Sequence, residues 1–222
     1  MSFTGFPDEG LVFYEGLEAD NSRTYWSDHK ADWEAHVRAP FLALLDELAP
    51  EFGVPKVFRP YRDVRFSADK TPYKTHQGAV VRAGDGSLGA WYVQLSAEGL
   101  MVAGGVWRLE SDQVARYRRA VADDVQGPRL VTEVERLTDA GYGIAGDRLT
   151  RSPKGFEVDD AVRADLLLHK SLHAVQRWEP ADWLHERRAL DEVRTCWREL
   201  TALNEWLADN VGATTREPRA RR

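Results

Sequence analysis

The chain has 222 residues, 43% hydrophobic and 30% charged with eight Trp, which excludes the polar, highly charged composition of a disordered chain; its length is near the upper end of what one core serves. A formal net charge of -6 argues against extended contact with nucleic acid or anionic lipid, and a single cysteine, Cys196, excludes an intramolecular disulfide and with it the usual mark of a secreted protein. The opening MSFTGFPDEGLVFYEG lacks a basic-then-apolar leader and no apolar run approaches the ~20 residues of a bilayer span, so the expected compartment is the cytoplasm.

In chain order, DEGLVFYEGLEAD sets Leu11, Tyr14 and Leu17 at helical spacing behind an acidic first turn. A second helix is expected after DNS, capped by Asn21 or Ser22, with Trp26, Trp33, Val37, Phe41, Leu44 and Leu48 on one face and Pro40 kinking it or dividing it in two. From Val57 the period changes towards two, and strands are expected over 57–67, 77–83, 90–97 and 100–107. Gly84-Asp85-Gly86 and Glu98-Gly99 supply hairpin turns in a largely antiparallel sheet.

Ser111 is placed to cap a helix striped by Val114, Tyr117, Val121 and Val125, which Gly127-Pro128 should break; Leu130, Val134 and Leu137 mark another helix ending near Gly141. A Gly146-Asp147 turn, a loop at SPKGF, a short helix over 160–168 and a last strand over 171–178 follow. A long final helix is expected over 182–210, striped by Trp183, Leu190, Val193, Trp197, Leu200, Leu203 and Leu207. Helices on either side of a central run of antiparallel strands indicate an α+β fold, expected as one domain over 1–212 with a disordered basic tail over 213–222.

The strongest chemical signal lies between residues 56 and 82. Seven basic side chains (Lys56, Arg59, Arg62, Arg65, Lys70, Lys74, Arg82) meet two acids (Asp63, Asp69), a local charge of +5, so the remainder of the chain carries -11. A cationic focus on an acidic body is what capture of a compact anion requires. If 57–66 is a strand, Arg59, Asp63 and Arg65 share a polar face with Tyr61, while Val64 and Phe66 mark the core side. A turn shaped by Pro72 then presents Asp69, Lys70, Tyr73 and Lys74.

Arg59, Arg62-Asp63, Arg65-Phe66, Asp69-Lys70 and Tyr73 together resemble the signature of a bacterial conserved hypothetical family called domain of unknown function 2461. DNSRTYW, GGVW, PKGF and DLLLHKS fall in the same order, over roughly residues 3 to 208. Ser22 stands where that pattern has Asn. The resemblance implies membership and supplies no reaction.

Other constellations carry less. Asp165, His169 and His173 are spaced four apart, which on a single helix would align three metal ligands, but the expected helix ends near 168 and ordinary structural histidines are the reading; neither metal nor cofactor is expected. Cys196 adjoins Val193 and Trp197 on an apolar face and reads as packing, as do most of the Trp residues. Gly104-Gly105 suits a ligand's close approach or a bulge; of Arg116, Arg118 and Arg119, one is placed to reach a cleft shared with the cationic strand, while two or three of them read as solvated.

The leading function is therefore binding, with turnover left open, of a phosphate- or carboxylate-bearing small molecule by Arg59, Arg62, Arg65, Lys70 and Lys74. Asp63, Asp69 and Tyr73 are the candidate catalytic residues. The alternatives are a non-enzymatic protein- or RNA-binding module using the same patch and the tail REPRARR, or a buried ion network without chemistry.

Overall fold

A computed structural model describes residues 2–65, 67–82 and 88–216 of the chain. Six strands, β1 (Pro55–Val57), β2 (His76–Arg82), β3 (Ala90–Ser96), β4 (Gly99–Val106), β5 (Gly143–Ala145) and β6 (Leu172–Trp178), form an antiparallel sheet in the order β1-β2-β3-β4-β6-β5. With eight α-helices among the described residues this is the expected α+β fold. No helix among the described residues is long and apolar enough to cross a membrane. The chain forms two compact units, one of Met1–Val81, Tyr92–Val102 and Arg177–Cys196, the other of Arg82–Trp91, Ala103–Gln176 and Trp197–Arg222.

The first unit opens with α1 (Asp8–Ala19) and α2 (Arg23–Asp32), the latter capped by Ser22, whose hydroxyl accepts the Tyr25 amide. A π-helical turn over Trp33–Arg38 joins α2 to α3 (Ala39–Phe52), and Pro40 explains it. Proline has no N–H to give the carbonyl of His36, so the winding widens there and the Ala39 amide reaches back five residues to Glu34. The freed His36 carbonyl is met by Gly10 of α1, where a Cβ would stand 2.6 Å from the oxygen. All six expected face residues from Trp26 to Leu48 are buried. Phe13, Tyr14, Leu17, Trp26, Trp33 and Val37 form one aromatic-rich cluster that also takes in Tyr73.

The expected strand over 57–67 is not one. The paired register with β2 ends at Val57 and one further bond runs from Phe58 N–H to the Gly78 carbonyl at 2.9 Å. Pro60 has no donor for a ladder, and antiparallel bonding then continues at a Tyr61 to Tyr73 bridge, through Lys74 N–H to Pro60 O and Arg62 N–H to Pro72 O, each 2.8 Å. Arg59, Asp63 and Arg65 therefore do not share a strand face; Val64 is half-buried and Phe66 lies outside the described residues. The 84–86 turn also lies outside them. The Glu98-Gly99 turn is present, with Gly99 at φ +104° and its Cα facing the Trp178 carbonyl.

In the second unit, α4 (Ser111–Ala122) is capped by Glu110 rather than Ser111, through a reciprocal box with Gln113. It ends before Val125, which is exposed instead of completing the stripe, because the Asp123 carboxylate takes the amides of Val125 and Gln126 and starts α5 (Gln126–Asp139). Gly127-Pro128 thus opens α5 rather than breaking α4, and Leu130, Val134 and Leu137 are buried as expected. A short α6 (Ala161–Leu166) starts from Asp160. Gly104 and Gly105 pack under Leu200 and against Leu172 and His173, so their smallness serves the protein's own packing.

The long final helix is broken into a 3-10 turn (Asp182–His185), α7 (Arg188–Glu199) and α8 (Thr201–Asn210). The break at Leu200 has a cause in diverted acceptors. The Trp197 carbonyl takes both the Trp91 indole N–H and the Thr201 hydroxyl, and the Glu199 carbonyl takes Arg136. Leu190, Val193, Leu200, Leu203 and Leu207 are nonetheless buried, Trp183 only partly. The start of the expected disordered tail is tied down, Thr214 and Thr215 bonding the Asp112 carboxylate; residues 217–222 lie outside the described residues.

Gly99→Ala combines a left-handed backbone, which costs an L-residue roughly 1–2 kcal/mol, with a Cβ 2.2 Å from the Trp178 oxygen. Gly155→Ala, in the SPKGF loop at φ +81° with nothing within 4 Å, carries the backbone cost alone. Chemical denaturation should show a loss of about 1 kcal/mol for Gly155→Ala and a loss at least twice as large for Gly99→Ala; equal losses would contradict the close approach.

Candidate functional site

The segment from Arg59 to Lys74 is a loop moored to the aromatic cluster of the first unit. Tyr73, only 6% exposed, stacks on Trp26 with ring centroids 4.4 Å apart and planes 10° from parallel. Its backbone is gripped on both sides by Asn21, whose side-chain amide donates to the Tyr73 carbonyl and accepts from the Tyr73 N–H, each at 3.1 Å. Tyr73 is a mooring first. Burial pushes its phenol pKa up, Tyr61 adds to that and Arg23 opposes it, so it stays protonated near neutrality.

Within the loop, most of the cations have partners in their own segment. Arg62 binds Asp69 and the Thr71 hydroxyl; Arg65 forms a two-pronged pair with Asp63 at 2.9 and 2.7 Å. Lys70 Nζ donates to the Val64 carbonyl, and Lys74 Nζ donates to the Arg59 carbonyl while lying 5.1 Å from the Phe58 ring centre. The ion pairs sit at the surface, Arg65 with 75% of its side chain exposed, so the buried network considered among the alternatives is not how these residues are arranged. The Arg65 guanidinium holds Asp63 down at about 2; the Thr71 backbone N–H, followed by Arg62 and the Thr71 hydroxyl, does the same for Asp69. Both are fixed carboxylates that orient cations.

A cleft of about 460 Å³ opens beside the mooring. Of the residues singled out from the sequence it gathers Arg62, Asp69, Tyr73 and Lys74; Arg59, Asp63, Arg65 and Lys70 are outside its lining. To these it adds Glu18 from the end of α1, Asn21, Thr71, Thr75 and His76 at the start of β2. Lys74 is lowered by burial and then by Arg59, and His76 by burial and then by Lys74. Glu18 is raised by burial, with Glu98 and Glu15 adding to it. Glu18 and His76 were missed in the sequence. His76 could have been found from its place two residues after Lys74 at a strand start; Glu18 had no local signal, since only folding brings it to the loop.

The other sequence candidates separate. Asp165 pairs with Arg148, His169 is buried with its ring bonded to the Ser171 carbonyl, and His173 lies on β6, so the three do not share a helix. Cys196 is buried. Arg116 is tied to Asp112 and to the carbonyls of Val211 and Ala213, whereas Arg118 lines a cleft of the second unit whose lining includes no residue of the cationic segment.

Asn21→Ala removes both grips on Tyr73. Amide exchange at Tyr73 should accelerate by the equivalent of about 1–3 kcal/mol of local opening while the α1 and α3 amides keep their protection; unchanged exchange at Tyr73 would contradict the mooring. Carboxyl-detected NMR should place the Asp69 midpoint near 2. With Arg62→Gln the midpoint should rise yet stay below the ordinary value, because the Thr71 donors remain. Since the folded value is depressed, the stabilisation from this carboxylate is present above its unfolded pKa and is lost as pH falls through about 2.

No curated protein matches the chain. Residues 9–206 match the model of a family described as conserved hypothetical protein (DUF2461), and the chain belongs to that family.

Proposed function

We propose that this member of the family binds a small phosphate- or carboxylate-bearing molecule in the cleft lined by Arg62, Tyr73, Lys74 and His76. One observation carries the reading: Lys74 and His76 are both held below their ordinary pKa by burial and by cations next to them, Arg59 beside Lys74 and Lys74 beside His76. No carboxylate of the described residues offsets that lowering at either group, and an incoming anion supplies the compensation. Arg62, its fork fixed by Asp69 and Thr71, offers a pre-oriented donor at the same cleft. Arg59 acts through its field, while Arg65-Asp63 and Lys70 shape the loop.

Should the bound molecule be turned over, Glu18 and His76 are the groups of the cleft suited to exchange a proton, since burial raises the carboxyl and lowers the imidazole and so brings the two closer in proton affinity. Asp63 and Asp69, held at about 2, serve as orienting anions.

Sulfate, whose charge is constant over the useful pH range, is the first probe, followed by a thermal-shift panel of sugar phosphates, nucleotides and organic acids. An anion raises the pKa of His76, so affinity should rise as pH falls through the depressed His76 value, by at most about tenfold per pH unit for one linked proton. Lys74→Met should abolish the stabilisation and Arg62→Gln should weaken it. A hit that survives both substitutions, or a flat pH response, would sink the proposal.

A further inference from the structure

The second unit contains a larger cleft, about 760 Å³, that differs from the first in what its cations touch. At its edge stands Trp107, 56% exposed and the only one of the eight tryptophans in that condition. One face of the indole is backed by the His173 ring, with centroids 3.7 Å apart and planes 20° from parallel. The indole is therefore held as a plate, while more than half of the residue remains open to solvent. Leu149 and Phe156 add apolar lining.

Three cations, Arg108, Arg118 and Lys170, face one acid, Asp147, across the same cleft. Among the described residues Arg108 makes one long ion contact, 3.9 Å, with Glu110. Neither Arg118 nor Lys170 has a carboxylate partner among the described residues, and the Arg118 Nε is buried without an acceptor there. The backbone N–H of Lys170 is fixed to the Asp147 carbonyl, which sets where its side chain starts. In the Arg59 to Lys74 loop Arg62 and Arg65 are answered by aspartates of their own segment; among the described residues Arg118 and Lys170 are not.

We propose that this cleft is a second binding site, for an aromatic oxyanion. The flat ring lies on Trp107 and the carboxylate or phosphate is taken by Arg118 and Lys170. Ring stacking and charge-assisted hydrogen bonding are each needed, because an exposed indole alone holds a neutral ring weakly and two solvated cations alone hold a free anion weakly. The site goes beyond the function proposed above and shares no residue with it.

The test uses the full chain with phenyl phosphate and benzoate as probes, and phenol, cyclohexyl phosphate and inorganic phosphate as comparators. Binding is read by calorimetry and by the shift of the Trp107 indole N–H in NMR. At least one aromatic anion should bind about tenfold or more tighter than phenol and than its non-aromatic counterpart. Trp107→Ala should reduce its affinity to that of the non-aromatic anion, and Arg118→Met to that of phenol, with circular dichroism confirming that each variant is folded. Lys170→Gln, at an exposed position, provides a cation variant that does not depend on Arg118 folding normally, and should also weaken binding. Equal affinity for aromatic and non-aromatic anions, or shifts centred on His76 with Trp107 unmoved, would overturn the proposal.

Discussion

The stacking of Tyr73 on Trp26, locked by the two backbone bonds to Asn21, is the contact on which the candidate site depends. A loop rich in arginine and lysine has no reason of its own to hold one shape, since its charges repel and its surface ion pairs are weak once solvated. Burying one aromatic side chain of that loop among Phe13, Trp26 and Trp33 supplies the order that the charges cannot. Once Tyr73 is fixed, the bridge to Tyr61 fixes Arg62 opposite Pro72, and Lys74 and His76 follow on the way into β2. The residues of the candidate site inherit their positions from hydrophobic packing.

Charge is used in two ways on this acidic chain. In the Arg59 to Lys74 loop, Arg62 and Arg65 each have an aspartate two to seven residues away, so that each fork is held in one orientation, at the expense of some of its attraction. Around Trp107, Arg118 and Lys170 come from separate segments and have no carboxylate partner among the described residues, so more of their field reaches the cleft. Pre-orientation favours selectivity and unneutralised charge favours capture. Both effects are damped by salt to the extent that solvent enters, over a Debye length of about 8 Å at physiological ionic strength.

Much of the architecture was legible because periodicity and burial coincide. The β3–β4 hairpin and the Leu130, Val134, Leu137 stripe follow directly from spacing, and the six positions from Trp26 to Leu48 are all buried, although the widened turn at Trp33–Arg38 lets the two ends face different neighbours. The failures came where a backbone group is claimed by something distant. Pro60 ended a strand whose alternation looked sound; three diverted carbonyl bonds divided the final helix at Leu200; an aspartate turned towards the next helix left Val125 in water. The candidate site was half legible for the same reason. Arg62, Asp69, Tyr73 and Lys74 stand in one short segment and announce themselves by charge, whereas Glu18 lies more than forty residues earlier and joins them only through the mooring of Tyr73.

The widened turn at Trp33–Arg38 holds one more residue than regular winding would place there. One residue corresponds to about 100° of rotation about the helix axis. The turn is therefore a phase adjuster: it lets Trp26 face Tyr73 while Phe41 and Leu44 face their own neighbours farther along the same rod. Removing that one residue's worth of winding would turn Trp26 by about 100° relative to Phe41 and Leu44, away from the loop it supports. The reading frame of the helix, set by Pro40, thereby governs a cleft that Pro40 never touches.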